Sequence, residues 1–91
     1  MEFEWNPQKA ARNLQKHKIA FVEAATVFSD PLSVTAPDPD HSLNEDRFII
    51  VGQTHKNRLV MVSFVERRNR IRIISARELT HSERNAYEEE L

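Results

Sequence analysis

The sequence has no cysteine and a single glycine. Without thiols there can be neither a disulfide framework nor a thiolate zinc site, which suits a reducing compartment such as the cytoplasm. No apolar run approaches the roughly 18–20 residues needed to span a bilayer, so no membrane association is expected. After Met1 comes Glu2-Phe3-Glu4-Trp5, with no basic segment and no apolar stretch behind it, so a signal peptide is not expected either. No Gly-rich phosphate loop, G-x-S-x-G elbow or H-E-x-x-H pair occurs. The net charge of −1 argues against a general nucleic-acid binder, which would be basic overall.

What is present is one globular domain's worth of chain, residues 1–91, with 40% hydrophobic residues. Asn6-Pro7 has the form of an N-cap followed by proline at the first helical position, opening a helix over PQKAARNLQKH. Its apolar face is expected to carry Ala10, Ala11, Leu14 and His17, with His17 structural rather than catalytic. Lys18 stands where a left-handed glycine cap would be expected, so the turn is either mildly strained or built differently. A second helix starts near Phe21, with Ala24, Ala25 and Phe28 at helical spacing, and Asp30-Pro31 stops it.

The remainder alternates as sheet. Phe3-Glu4-Trp5 forms a short strand, followed by LSVTA (32–36), RFIIVGQT (47–54), LVMVSFVE (59–66) and RIRIISAR (70–77). The short HKNR and RRN connections predict an antiparallel meander. The almost wholly apolar 59–66 strand is expected to be central and covered on both faces. Gly52, in mid-strand, marks a bulge or close packing. Thr80-x-x-Glu83 is a capping box that opens a third, largely polar helix with Tyr87 and Leu91 as its main apolar contacts. The predicted core is Leu14, Phe28, Val60, Val62, Phe64, Ile71 and Ile73.

Charge is distributed unevenly. Arg67, Arg68, Arg70, Arg72 and Arg77 crowd one stretch, while acids gather in 38–46 and at Glu88-Glu89-Glu90. Strict alternation puts Arg70 and Arg72 on one face of the last strand and Ile71, Ile73, Ser75 and Arg77 on the other. Arginines here can coat a solvated face and pair with Glu66, Glu78 and Glu83, or they can grip phosphate, which guanidinium does in a planar fork. His81, at the first position of helix three, is the best-placed general acid or base. Asp38, Asp40, His41, Glu45 and Asp46 could in principle hold Mg²⁺ or Mn²⁺, but their spacing fits a solvated turn better.

The ordered set FEWNPQKAARNLQKHKIAFVEAATVFSDP, PDPDHS, RFIIVG and IRIISARELTHSERNAYEE resembles the BrnT family of type II toxin–antitoxin toxins along nearly the whole chain. It departs at Lys18, where the family has glycine, and at Ala20, where the family has a small polar residue. The resemblance implies an α+β, RelE-like fold: a twisted, mainly antiparallel sheet of about four strands, two N-terminal helices packed on it, and a C-terminal helix. It implies a small cytoplasmic endoribonuclease that needs no metal or other cofactor. Such a toxin is neutralised by a BrnA-like antitoxin and meets operator DNA only through that antitoxin.

On this resemblance Arg77 and Arg67 would stabilise the phosphate, and His81 or Glu66 would act as base or acid. Arg72, Arg70, Arg68 and Tyr87 would bind RNA. Two other readings remain: a non-catalytic module that docks a protein through its arginine-rich strand, and a metal nuclease using Asp38, Asp40 and His41.

Overall fold

The computed structural model describes residues 1–38 and 46–90. In chain order the elements are β1 (Glu2–Glu4), α1 (Pro7–His17), α2 (Phe21–Ala25), a 3₁₀ turn (Thr26–Ser29), β2 (Val34–Pro37), β3 (Arg47–Gln53), β4 (Leu59–Arg67), β5 (Arg70–Glu78) and α3 (His81–Glu89). The strands make one sheet in the order β1-β5-β4-β3-β2. β2 to β5 form the expected antiparallel meander, but β1 joins β5 in parallel, so the sheet among the described residues has five strands and is mixed rather than four-stranded. Parallel entry follows from connectivity: α1, α2 and three strands intervene between β1 and β5.

Both ends of α1 form as the sequence signals. Asn6 Oδ1 accepts the Gln8 and Lys9 N–H groups at 2.8 and 3.1 Å. At the other end Lys18 takes the left-handed conformation, φ 61°, and its N–H closes on the Leu14 carbonyl. The rotation of the helix differs from expectation. Leu14 is 49% exposed and belongs outside the core, whereas Asn13 is buried at 7%.

The cause lies in β5. β1 pairs only as far as Arg72, so the later part of that β5 edge has no neighbouring strand. The Asn13 side chain stands in for one. Its Nδ2 donates to the Ala76 carbonyl at 2.9 Å, and its Oδ1 accepts the Ala76 N–H at 3.0 Å. Nδ2 also donates to the Ile19 carbonyl at 2.9 Å, which ties down the turn into α2. Leaving those buried backbone groups unpaired would cost more than exposing one leucine.

The core lies between the sheet and the two N-terminal helices. Ile19, Phe21, Ala24 and Val27 meet Ile50, Val60, Val62, Phe64, Ile71, Ile73 and Ala76. The second helix is shorter than its spacing suggests and tightens into the 3₁₀ turn before Asp30-Pro31. Phe28 nevertheless packs edge-on against Phe64 and Phe3, with centroids 4.9 and 5.2 Å apart. Gly52 is buried where a methyl would come within 2.9 Å of Asp30 Oδ2 and 3.0 Å of Ser33 Cβ, so it is a close-packing glycine.

β4 is central, between β3 and β5, and both its faces are largely covered. Val60, Val62 and Phe64 are buried on the core face and Leu59 and Val65 on the other, where Met61 and Ser63 are partly exposed. Replacing Ile73, which is 1% exposed, with alanine should cost about 2–4 kcal/mol in a denaturant titration. Leu14→Ala should stay within about 0.5 kcal/mol of the parent.

Candidate functional site

β5 carries an irregularity that strict alternation cannot anticipate. Its partners on β4 run Ser63↔Ser75 and then Phe64↔Ile73, so Ile74 is an extra residue bulged out of the ladder. A bulge resets which face the later residues occupy. Ile71, Ile73 and Ala76 therefore all face the core, and Arg77 sits opposite Met61 on the outer face, away from α1 and α2. This corrects the expectation that Arg77 shares a face with Ile71 and Ile73. It lies instead on the same face as Arg70 and Arg72.

The candidate residues gather at two ends of β5 rather than in one place. Seven residue steps separate Arg70 from Arg77, about 20 Å of strand. At the hairpin end are Glu66, Arg67, Arg68 and Arg70, all exposed. Arg68 adopts a left-handed turn conformation, φ 57°. Glu4 on β1 draws two of the arginines together: Arg72 Nη1 donates to Oε2 at 2.9 Å and Arg70 Nη1 to Oε1 at 3.4 Å. The hydrogen bond from Arg72 is the main reason the Glu4 carboxyl is held below its usual range. An open hollow of about 620 Å³ lies among Glu2, Glu4, Arg67, Arg68, Asn69 and Arg70.

At the other end, β5 turns into α3 through the predicted capping box. Thr80 Oγ1 accepts the Glu83 N–H at 3.2 Å, and Glu83 Oε1 accepts the Thr80 N–H at 2.9 Å. The same carboxylate closes on Arg77, accepting Nη1 on Oε1 at 2.8 Å and Nη2 on Oε2 at 2.9 Å. Arg77 and the Thr80 backbone together pull the Glu83 carboxyl down to about 2, and Glu83 raises the guanidinium in return.

His81 is exposed on the first turn of α3, with Nε2 3.4 Å from Asn85 Nδ2. Tyr87 donates its hydroxyl to the Leu32 carbonyl at 2.8 Å, so it fastens α3 to the loop before β2. Burial, and then the charge of Asp30, push the Tyr87 phenol up. Between α3 and the outer sheet face runs an apolar hollow of about 300 Å³ lined by Val34, Ile49, Val51, Met61, Ala86 and Tyr87 among others.

Arg77, Glu83 and Tyr87 therefore lie at one end, and Glu66, Arg67, Arg68 and Arg70 at the other. His81 is at the same end of β5 as Arg77, but it stands two residues before Glu83, about 200° around α3, with Asn85 as its neighbour. Arg67 and Glu66 do not share a site with Arg77. Glu83 is the residue whose part the sequence understates. Its cap spacing is plain, but its closure on Arg77 depends on the angle between strand and helix. Of the acidic loop, Asp38 is buried and its N–H meets the Arg47 carbonyl at 2.8 Å. Asp40, His41 and Glu45 lie outside the described residues. Among the described residues no three His, Asp or Glu side chains come together to hold a metal ion, and no helix is long and apolar enough to cross a membrane.

Residues 5–83 match the family described as "Ribonuclease toxin, BrnT, of type II toxin-antitoxin system". No curated protein matches the chain. Among solved structures, the 1.1 Å crystal structure of the Brucella abortus ribonuclease toxin BrnT aligns with a TM-score of 0.70 at 20% identity, covering 89% of this chain and 99% of that one. At that identity the likeness establishes the fold, and the family match extends over most of the sequence. The chain therefore belongs to the BrnT family, the ribonuclease toxins of type II toxin–antitoxin systems.

Proposed function

We propose that this ribonuclease toxin cleaves RNA internally and without a metal ion, with the phosphate backbone laid along the outer face of β5. The reaction in this reading is attack of a 2′-hydroxyl on the adjacent phosphate, leaving a cyclic phosphate and a free 5′-hydroxyl. The observation that supports it best is the bulge at Ile74, which aligns Arg70, Arg72 and Arg77 on one sheet face. Three guanidiniums on a rigid strand make a track for a single-stranded backbone. Strand-borne groups also hold their geometry better than loop-borne ones.

Chemistry is assigned to the α3 end. Arg77 would stabilise charge on the pentacovalent phosphorus, and His81 would move a proton to or from the reacting oxygens. Arg67 and Glu66, about 20 Å away, would act on a flanking nucleotide instead of on the scissile phosphate. Arg68, Arg70 and Arg72 would hold the backbone. Tyr87, its hydroxyl already engaged, would hold α3 in place. The finer likeness to RelE-type ribonucleases, action in the cytoplasm and neutralisation by a BrnA-like antitoxin belong to the same reading. An acidic antitoxin segment would be drawn to the arginine track, and its association rate should fall with added salt.

The test is cleavage of RNA by the purified toxin in EDTA. Retained activity and a 2′,3′-cyclic phosphate product are expected. Loss of activity that Mg²⁺ or Mn²⁺ restores would move the chemistry to Asp38, Asp40 and His41.

A further inference from the structure

The reading of Arg77 as a phosphate ligand meets an obstacle in its hydrogen bonds. A guanidinium has five N–H donors, four of them on the two terminal nitrogens. Nη1 donates to Glu83 Oε1 at 2.8 Å and to the Glu78 carbonyl at 3.2 Å. Nη2 donates to Glu83 Oε2 at 2.9 Å and to Met61 Sδ at 3.5 Å. These contacts use all four terminal N–H groups and leave Nε–H outside them. A phosphate cannot enter the fork while Glu83 holds it.

We infer that Glu83 is a latch: its carboxylate occupies the phosphate position on Arg77 in the resting protein, and RNA binding exchanges carboxylate for phosphate. The inference rests on the proposed role of Arg77. Carboxylate and phosphate offer a guanidinium the same pair of oxygens, so each can replace the other in the planar fork. The exchange is easy because the pair is not deeply buried: the side chains of Arg77 and Glu83 are 38% and 33% exposed. An ion pair in that environment is only weakly favourable. The helix need not move: Tyr87 and the Thr80 cap of the Glu83 N–H hold α3 in place, and only the Glu83 side chain has to swing away from Arg77. Until RNA arrives, the latch keeps the guanidinium oriented and closed to stray anions.

Glu83→Gln separates the latch from the cap. Glutamine serves the capping box as glutamate does, but it removes the charge that holds Arg77. The variant should bind a 2′-O-methyl RNA oligonucleotide, which it cannot cleave, about two- to fivefold more tightly, the range set by an exposed ion pair. KM for cleavable RNA should fall in step while kcat changes less. The gain should vanish in the Glu83→Gln/Arg77→Ala double variant.

An unchanged KM would overturn the latch. So would a collapse in kcat at constant KM, which would make Glu83 a residue that positions Arg77 for the reaction. Full cleavage by Arg77→Ala alone would instead overturn the reading on which the latch rests. Wild-type protein gives an independent test. The Glu83 carboxyl, which Arg77 pulls down to about 2, should titrate higher once the 2′-O-methyl oligonucleotide is bound, as followed by carbon NMR. A titration that the oligonucleotide leaves unmoved means the pair survives binding, and the latch fails.

Discussion

Arg77→Ala should cut RNA cleavage by about a hundredfold or more and leave the protein folded. Loss of one preorganised donor to a developing oxyanion typically costs about 3 kcal/mol of transition-state stabilisation. Arg77 qualifies as preorganised. It leaves a strand whose neighbours Ile73 and Ala76 are buried, and the Ala76 backbone is pinned by Asn13. The stability cost should be small, because the Arg77–Glu83 pair is about one-third exposed and such pairs contribute roughly 0–1 kcal/mol. The α3 cap should survive, since Thr80 and Glu83 still exchange their two hydrogen bonds. Arg77→Lys should recover only part of the activity, because an ammonium lacks the planar fork. The measurement pairs toxicity on expression in a growing bacterium with the melting curve of the purified variant. A fully toxic Arg77→Ala protein, or a harmless one that is simply unfolded, would remove Arg77 from the active site.

The limits of sequence reading fall at identifiable residues. α1 was legible at both ends because capping chemistry is local: Asn6-Pro7 opens it and Lys18 closes it. Its rotation was not, because hydropathy favours Leu14 over Asn13 at any interface. Only the unpaired Ala76 backbone, 63 residues away, makes asparagine the better buried residue. On β5, alternation correctly put Ile71 and Ile73 in the core and failed beyond Ile74. Two adjacent isoleucines are the only trace the bulge leaves in the sequence, and a buried strand could show the same pair without one. The arginine cluster misled in another way. Residues 67–77 are close in the chain, but an extended strand holds its ends far apart, so one sequence cluster became two separate groups of side chains. The short strand Phe3-Glu4-Trp5 was visible, whereas its parallel pairing with β5 depends on the whole chain path.

Arg58→Ala should damage stability as much as truncating a core residue, and its effect should depend on pH. The sequence offers no sign of this, since Arg58 follows a hairpin turn and its partner Glu23 lies 35 residues earlier. The Glu23 side chain is 4% exposed and that of Arg58 29%. Arg58 Nε and Nη2 both donate to the carboxylate, and Thr54 Oγ1 donates to it at 2.8 Å. Arg58 Nη2 also reaches the Lys18 carbonyl at 2.8 Å, so one guanidinium joins the end of α1, the start of α2 and the β3–β4 turn.

Removing one partner leaves a buried charge uncompensated, which costs about 3 kcal/mol or somewhat more. Arg58 is the main cause that brings the Glu23 carboxyl from 4.5 down to about 2. A carboxyl depressed in the folded state stabilises it fully above the unfolded value, and that stability is lost as pH falls through the folded value. The wild-type advantage is thus complete above about pH 4.5 and declines from there toward pH 2. Without Arg58, burial favours the neutral acid, so the variant suffers most near neutrality and recovers ground as Glu23 takes up a proton. Urea midpoints for the two proteins should lie far apart at about pH 7 and draw together in acid. Adding Glu23→Gln to Arg58→Ala should return part of the loss at neutral pH, because the orphaned charge is then gone. A gap between the midpoints that stays constant with pH would show that Arg58 acts through packing alone and that the buried ion pair is not what joins these three elements.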